Sequence, residues 1–280
     1  MKQKKRQKNT AVYILLFLLA AVFLAPIFII LLNSVKTNFY ISESPFSFPV
    51  GEAYAGFKNF VKGFTQSDFA RAFFNSLVIT LFSVSGIVLL TSMAAWYIVR
   101  IKSRFTKILY YLFVFSMIVP FQMVMYTMTY FAFELNLNNL PGIVLIYVGF
   151  GSGLSVFMFS GFLKSIPSEI EEAATIDGCS PLKTFFLIVF PIMKPTAITV
   201  AILNSMWIWN DYLLPYLVLG SGKNRTLPVA VQMALTGGYG NKDMGALMAM
   251  LVLAILPIII FYLFCQKYII KGVVAGAVKG

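Results

Sequence analysis

Residues able to do chemistry are few in this chain, and they fall in two places. The first is the stretch Glu169, Glu171, Glu172 and Asp177, where acids alternate with the small residues Ala173 and Ala174. The second is Asp211, flanked by Asn210 and Tyr212, the only acid set within a long apolar run. An ionisable group inside a bilayer is costly and is kept for function or for pairing. Asp211 therefore either lines a polar route or hydrogen-bonds Asn210 or a neighbouring helix. A membrane-bound enzyme would need paired ionisable groups facing one cavity, and Asp211 has no counterpart. No histidine occurs, which removes His-based general bases, zinc sites and Ser-His-Asp triads. The two cysteines, Cys179 and Cys265, cannot build a disulfide framework. No G-x-x-x-x-G-K-[ST] loop is present, so the chain does not bind ATP in that way.

The elements that must position these groups follow from composition. The 280 residues are 59% hydrophobic and only 11% charged, against roughly 25% charged in soluble domains. Mean hydropathy is +0.84. Six apolar runs, each long enough for a helix of about 20 residues to cross a bilayer, fall at 12–32, 73–98, 108–133, 141–163, 196–219 and 244–266. The expected architecture is an all-α polytopic membrane protein, one transmembrane domain over residues 1–280. The first run is longer than a signal-peptide core and is followed by no small-x-small cleavage site, so it reads as an uncleaved span.

Fifteen of the 22 Lys and Arg residues lie on one side of these spans: in the N-terminal stretch, the 100–107 loop, the 164–194 loop and the 267–280 tail. Positive-inside bias places that side, and both termini, in the cytoplasm. The net charge of +12 thus marks cytoplasmic loops rather than a nucleic-acid partner. In the fourth span Gly149, Gly151 and Gly153 predict either close helix packing or an unwound turn. Pro257 predicts a kink in the sixth. Almost no ionisable residue lies in the spans, so energy for uphill movement would have to enter from a partner.

The 164–194 loop is locally well specified. Ser168 and Glu171 have capping-box spacing, three glutamates favour a helix N-terminus, and Gly178 is a natural stop. A short helix over 169–177 is expected. A second begins at Ser180-Pro181 and runs to Pro191. Ile170, Ala173, Ala174 and Asp177 share one face by helical spacing, low and acidic, suited to a partner's groove.

These residues resemble a known family. Glu172-Ala173-Ala174, Gly178 four positions after Ala174, Ile188 and Pro191 are similar to the EAA loop of membrane-spanning subunits of ABC importers, with Phe190 where that pattern usually has Leu. Trp209-Asn210-Asp211-Tyr212-Leu213-Leu214-Pro215 and the tail Gly272 to Gly280 resemble the carbohydrate branch, in particular the smaller permease subunit of maltose-type and multiple-sugar importers. The resemblance implies the ABC type I importer transmembrane fold in a bacterial cytoplasmic membrane. It assigns Glu169, Glu172, Ala173, Ala174, Asp177, Gly178, Ile188 and Pro191 to coupling with an ATPase. Gly272, Gly276, Lys279 and Gly280 would also reach that ATPase, and Asn210, Asp211 and Tyr212 become candidates for the translocation path. It further implies a second permease subunit, two ATPase subunits that bind ATP and Mg, and an extracytoplasmic solute-binding protein. This chain itself would bind no cofactor or metal. The cargo would be a di- or oligosaccharide; the same architecture with an amino acid, phosphate or metal chelate as cargo is the alternative.

Overall fold

The computed structural model describes residues 2–66, 68–237 and 242–277. In chain order its helices are α1 (Lys2–Ser34), α2 (Asn38–Glu43), α3 (Lys58–Gln66), α4 (Phe69–Arg100), α5 (Arg104–Ile118), α6 (Phe121–Glu134), α7 (Leu140–Leu163), α8 (Glu169–Ile176), α9 (Pro181–Thr184), a π-helical stretch Phe185–Val189, α10 (Phe190–Ile192), α11 (Lys194–Asn210), α12 (Leu213–Leu219), α13 (Leu227–Thr236) and α14 (Met244–Ala277). Among the described residues the only β pairing is an isolated antiparallel bridge between Lys36 and Tyr54.

Four helical stretches are long and apolar enough to cross a membrane: Thr10–Ser34, Phe69–Arg100, Leu140–Leu163 and Met244–Tyr268. Two bent pairs raise the number to six. The third apolar run, expected as one span over 108–133, is divided into α5 and α6, which meet at 105°. Pro120 causes the break. Its ring disfavours helical backbone at the preceding residue, and Val119 is extended at φ −71°, ψ 116°. The second pair joins Pro181–Ile192 to α11 at 76°. The fifth run also parts further on, where α11 ends at Asn210 and α12 restarts at Leu213. By contrast α14 continues as one helix past Pro257.

The chain divides into two compact units, Met1–Ala70 with Ala230–Pro257, and Arg71–Val229 with Ile258–Gly280. In the first, α1 carries apolar residues on every side and buries none of them between Val12 and Leu24, the pattern of a helix facing lipid. Its C-terminal end is tied by polar contacts. Lys36 is fully buried, its ammonium donating to the carbonyls of Ser44 (2.8 Å) and Pro45 (3.2 Å); burial pulls its pKa below the usual lysine range. Asn59 of α3 donates to the carbonyls of Ser34 (2.9 Å) and Lys36 (2.7 Å). Asp243 accepts from the Ala246 amide and pairs with Lys62 at 3.1 Å, which starts α14 against α3.

The second unit has its core around Tyr147, Phe159, Phe185, Ile87 and Val200, all fully buried. Close packing, not unwinding, explains the glycines of α7, which is unbroken through them. A Cβ on Gly153 would lie 2.7 Å from the Phe113 carbonyl oxygen of α5. One on Gly151 would press on Ile87 of α4 and stand 2.8 Å from Asn204 Oδ1 of α11. Gly149 faces open space and needs no such account.

Candidate functional site

The acidic helix α8 begins without its expected cap. Ser168 has helical backbone and its side chain caps nothing. The capping-box partner, Glu171, is engaged elsewhere. Its Oε2 accepts from Trp96 Nε1 at 2.8 Å. Its Oε1 accepts from Arg100 Nε at 2.8 Å and lies 2.7 Å from the other Arg100 nitrogen, Nη2. Arg100 Nη2 also donates to the Ile166 carbonyl at 3.1 Å. A charge-assisted hydrogen bond is stronger than a neutral serine cap, so Glu171 ties α8 to the end of α4 instead of closing its own first turn. Trp96 continues the anchor, its ring 5.4 Å from that of buried Phe185 in the π-helical stretch.

The other end of α8 is as the glycine foretold, one residue shorter than expected. Gly178 takes φ +79°. The Cys179 amide donates to the Ala174 carbonyl and the Gly178 amide to that of Thr175, which together make a Schellman motif.

With both ends held, α8 presents a defined surface. Glu169, Ile170, Glu172, Ala173, Ile176 and Asp177 are exposed, Ile176 at 86%. Ala174 is not part of that surface; it is 4% exposed and packs inward. The face read as Ile170, Ala173, Ala174 and Asp177 is therefore split, because Glu171 rotates the Ala174 side toward the core. Ile188 is half-buried in the π-helical stretch and Pro191 is exposed in α10. Both cysteines are free thiols.

Asp211 stands at the break between α11 and α12. Its Oδ1 accepts from the Leu213 amide (3.0 Å) and the Leu214 amide (3.4 Å), and its Oδ2 from Tyr147 Oη of α7 (3.0 Å). The carboxylate thus caps α12 and joins it to α7, so the packing contact foreseen for it is made with Tyr147 and not with Asn210. Asn210 turns back to the Met206 carbonyl at 2.7 Å, and Tyr212 stacks on Tyr216 with centroids 5.4 Å apart. Asparagine caps helices about as well as aspartate. Asp211→Asn is expected to keep uptake within about twofold, whereas Asp211→Ala should cost about 1 kcal/mol of stability. A tenfold loss of uptake in a normally inserted Asn variant would instead give the charge itself a part in transport.

Gly272 and Gly276 lie within the helical backbone of α14, while Lys279 and Gly280 fall outside the described residues. Sequence reasoning missed Trp96, Arg100 and Glu171 as one anchor. Arg100 carried a signal only as a basic residue ending a span, and no local pattern links it to an acid 71 positions later.

These features define an integral membrane protein of bent and continuous spanning helices, with a short acidic helix braced against the end of one of them. The backbone superposes with a TM-score of 0.80 on a chain from the crystal structure of a bacterial ABC transporter involved in the import of the acidic polysaccharide alginate, covering 95% of this chain and 97% of that one at 21% identity. That likeness shows that the two chains share a fold. Residues 87–274 match the binding-protein-dependent transport system inner membrane component family, and the chain belongs to it. It is 38% identical over 277 residues to the probable starch degradation products transport system permease protein AmyC of Thermoanaerobacterium thermosulfurigenes, spanning 98% of this chain and 99% of that one. It is 34% identical to the multiple sugar-binding transport system permease protein MsmG of Streptococcus mutans, over the full length of both.

Proposed function

We propose that this chain is one of two membrane-spanning subunits of an ATP-driven carbohydrate importer, with a di- or oligosaccharide as cargo. The observation that carries the mechanism is the anchored, exposed α8. A cytoplasmic ATPase dimer would seat 169–190 in a cleft, and closure of that dimer on ATP would move α8. Because Glu171 and Phe185 join this loop to Arg100 and Trp96, the displacement passes into α4, a spanning helix. Alternating access follows if α4 moves with α8. Substrate would arrive on an extracytoplasmic solute-binding protein at the outer loops, among them 220–243. The ATPase supplies hydrolysis and holds ATP and Mg; this chain supplies path and lever. The cargo assignment rests on the sugar permeases named above.

Glu172 offers the most direct test, since its side chain is exposed on α8. Glu172→Arg reverses charge on the docking face without disturbing the anchor. Uptake of labelled oligosaccharide by cells carrying the complete assembly is expected to be abolished, with normal amounts of the chain in the membrane. Uptake at the wild-type rate would remove α8 from the coupling role.

A further inference from the structure

The cytoplasmic ends of α4, α5 and α7 border an open hollow of about 750 Å³. Lys102, Arg104, Lys107 and Lys164 line it together with Tyr110 and Tyr111, and no Asp or Glu does. Arg100 also borders it but is neutralised by Glu171. Among the described residues the side chains of Lys102, Arg104 and Lys107 meet no carboxylate, and Lys164 stands over the Tyr110 ring at 5.2 Å. The positive end of the α5 dipole adds to the same field.

A second observation says what kind of anion fits. Phe105, Ile108, Leu112 and Phe115 of α5 are each 59–64% exposed. Their spacing of three and four puts them on one face, so an apolar stripe leads along α5 from the hollow toward bilayer depth. A soluble anion has no use for that stripe. An acidic protein surface would not enter the hydrocarbon. A molecule with an anionic head and hydrocarbon tails uses both features, and basic pockets between helices on the cytoplasmic side suit such headgroups. Basic residues at span ends also orient insertion, but orientation does not require them to converge on one hollow.

We infer that this hollow holds the headgroup of an anionic phospholipid from the cytoplasmic leaflet, its phosphodiester among Arg104, Lys107 and Lys164 and its acyl chains along Phe105, Ile108, Leu112 and Phe115. Since Arg100 borders the hollow, a bound lipid also braces the end of α4 that anchors α8.

Native mass spectrometry of the complete transporter in mild detergent, titrated with phosphatidylglycerol or phosphatidylcholine, tests this. Phosphatidylglycerol is expected to bind the wild type preferentially. Arg104→Gln with Lys107→Gln should weaken it about twenty-fivefold, at a factor of about five for each cation near an anionic lipid. Because that pair also removes orienting charge, Lys164→Gln alone serves as the second variant, with about a fivefold loss expected. Lys58→Gln with Lys223→Gln removes equal charge outside the hollow and should change nothing. Equal binding of the two lipids, or the same loss in the Lys58/Lys223 control, overturns the inference. So does displacement of the lipid by inorganic phosphate at equal concentration, which would make the site one for free phosphate. A photo-crosslinker at Tyr111 that labels a partner subunit instead of lipid in the assembled transporter would overturn it as well.

Discussion

Alanine at Glu171 is expected to cut uptake at least tenfold while the chain remains in the membrane and ATP is still hydrolysed by the assembled complex. The carboxylate accepts one hydrogen bond from Trp96 and one from Arg100 and is ion-paired with the Arg100 guanidinium, so its removal leaves a guanidinium only 20% exposed without its partner. Exposed ion pairs are worth about 0–1 kcal/mol, and breaking a fully buried one costs about 3–5 kcal/mol. The intermediate exposure here puts the loss at about 2 kcal/mol, or roughly thirtyfold in the balance between a seated and a released α8. Hydrolysis without transport is the signature of a lever that has come loose, and it separates this outcome from failed assembly. Arg100→Gln should behave alike. A double-mutant cycle over the two positions should return a coupling of about 1–2 kcal/mol. Wild-type uptake in Glu171→Ala would show that force does not pass through this contact.

Valine at Gly153 is expected to lower stability by about 3 kcal/mol, the upper part of the usual overpacking range. The obstacle is backbone: an added Cβ would meet the Phe113 carbonyl at 2.7 Å and Ser116 Oγ, which already donates to that carbonyl at 2.7 Å. The Ser116 hydroxyl can rotate aside but the backbone carbonyl cannot, so α5 and α7 must part. Gly149→Ala, four residues earlier and facing open space, should be neutral or stabilising by up to about 1 kcal/mol, since alanine is the better helix former. Thermal unfolding of the two variants in the same detergent checks the pair. Identical midpoints would mean that the α5–α7 approach does not limit stability.

The parts of the fold that local chemistry dictates were legible in the sequence, and those set by distant contacts were not. Six apolar runs announced the spanning helices, and Gly178 announced the end of α8 because only a residue at ease with positive φ closes that turn. Pro120 carried the signal for the α5–α6 bend, but the unbroken hydropathy of 108–133 concealed it. The capping box failed for the opposite reason. Ser168 and Glu171 have the right spacing, yet the stronger partner for Glu171 sits on another helix. At the candidate site the exposure of Glu169, Glu172, Ala173 and Asp177 followed from the amphipathic pattern, while the inward turn of Ala174 did not. The basic residues of 100–107 were counted for orientation, but nothing in their order showed that Lys164 joins them around one hollow.

The anchor between Arg100 and Glu171 also imposes a schedule on biogenesis. Arg100 is synthesised 71 residues before the acid it pairs with. At about 5–20 residues per second the guanidinium at the end of α4 waits on the order of 4–14 s for its counter-charge, while α5, α6 and α7 are still emerging. During that interval the nascent chain carries an unpaired cation at the membrane face, free to hold α4 from slipping inward. Only when α8 has been made can the pair close, so this contact forms after α5, α6 and α7 have been synthesised.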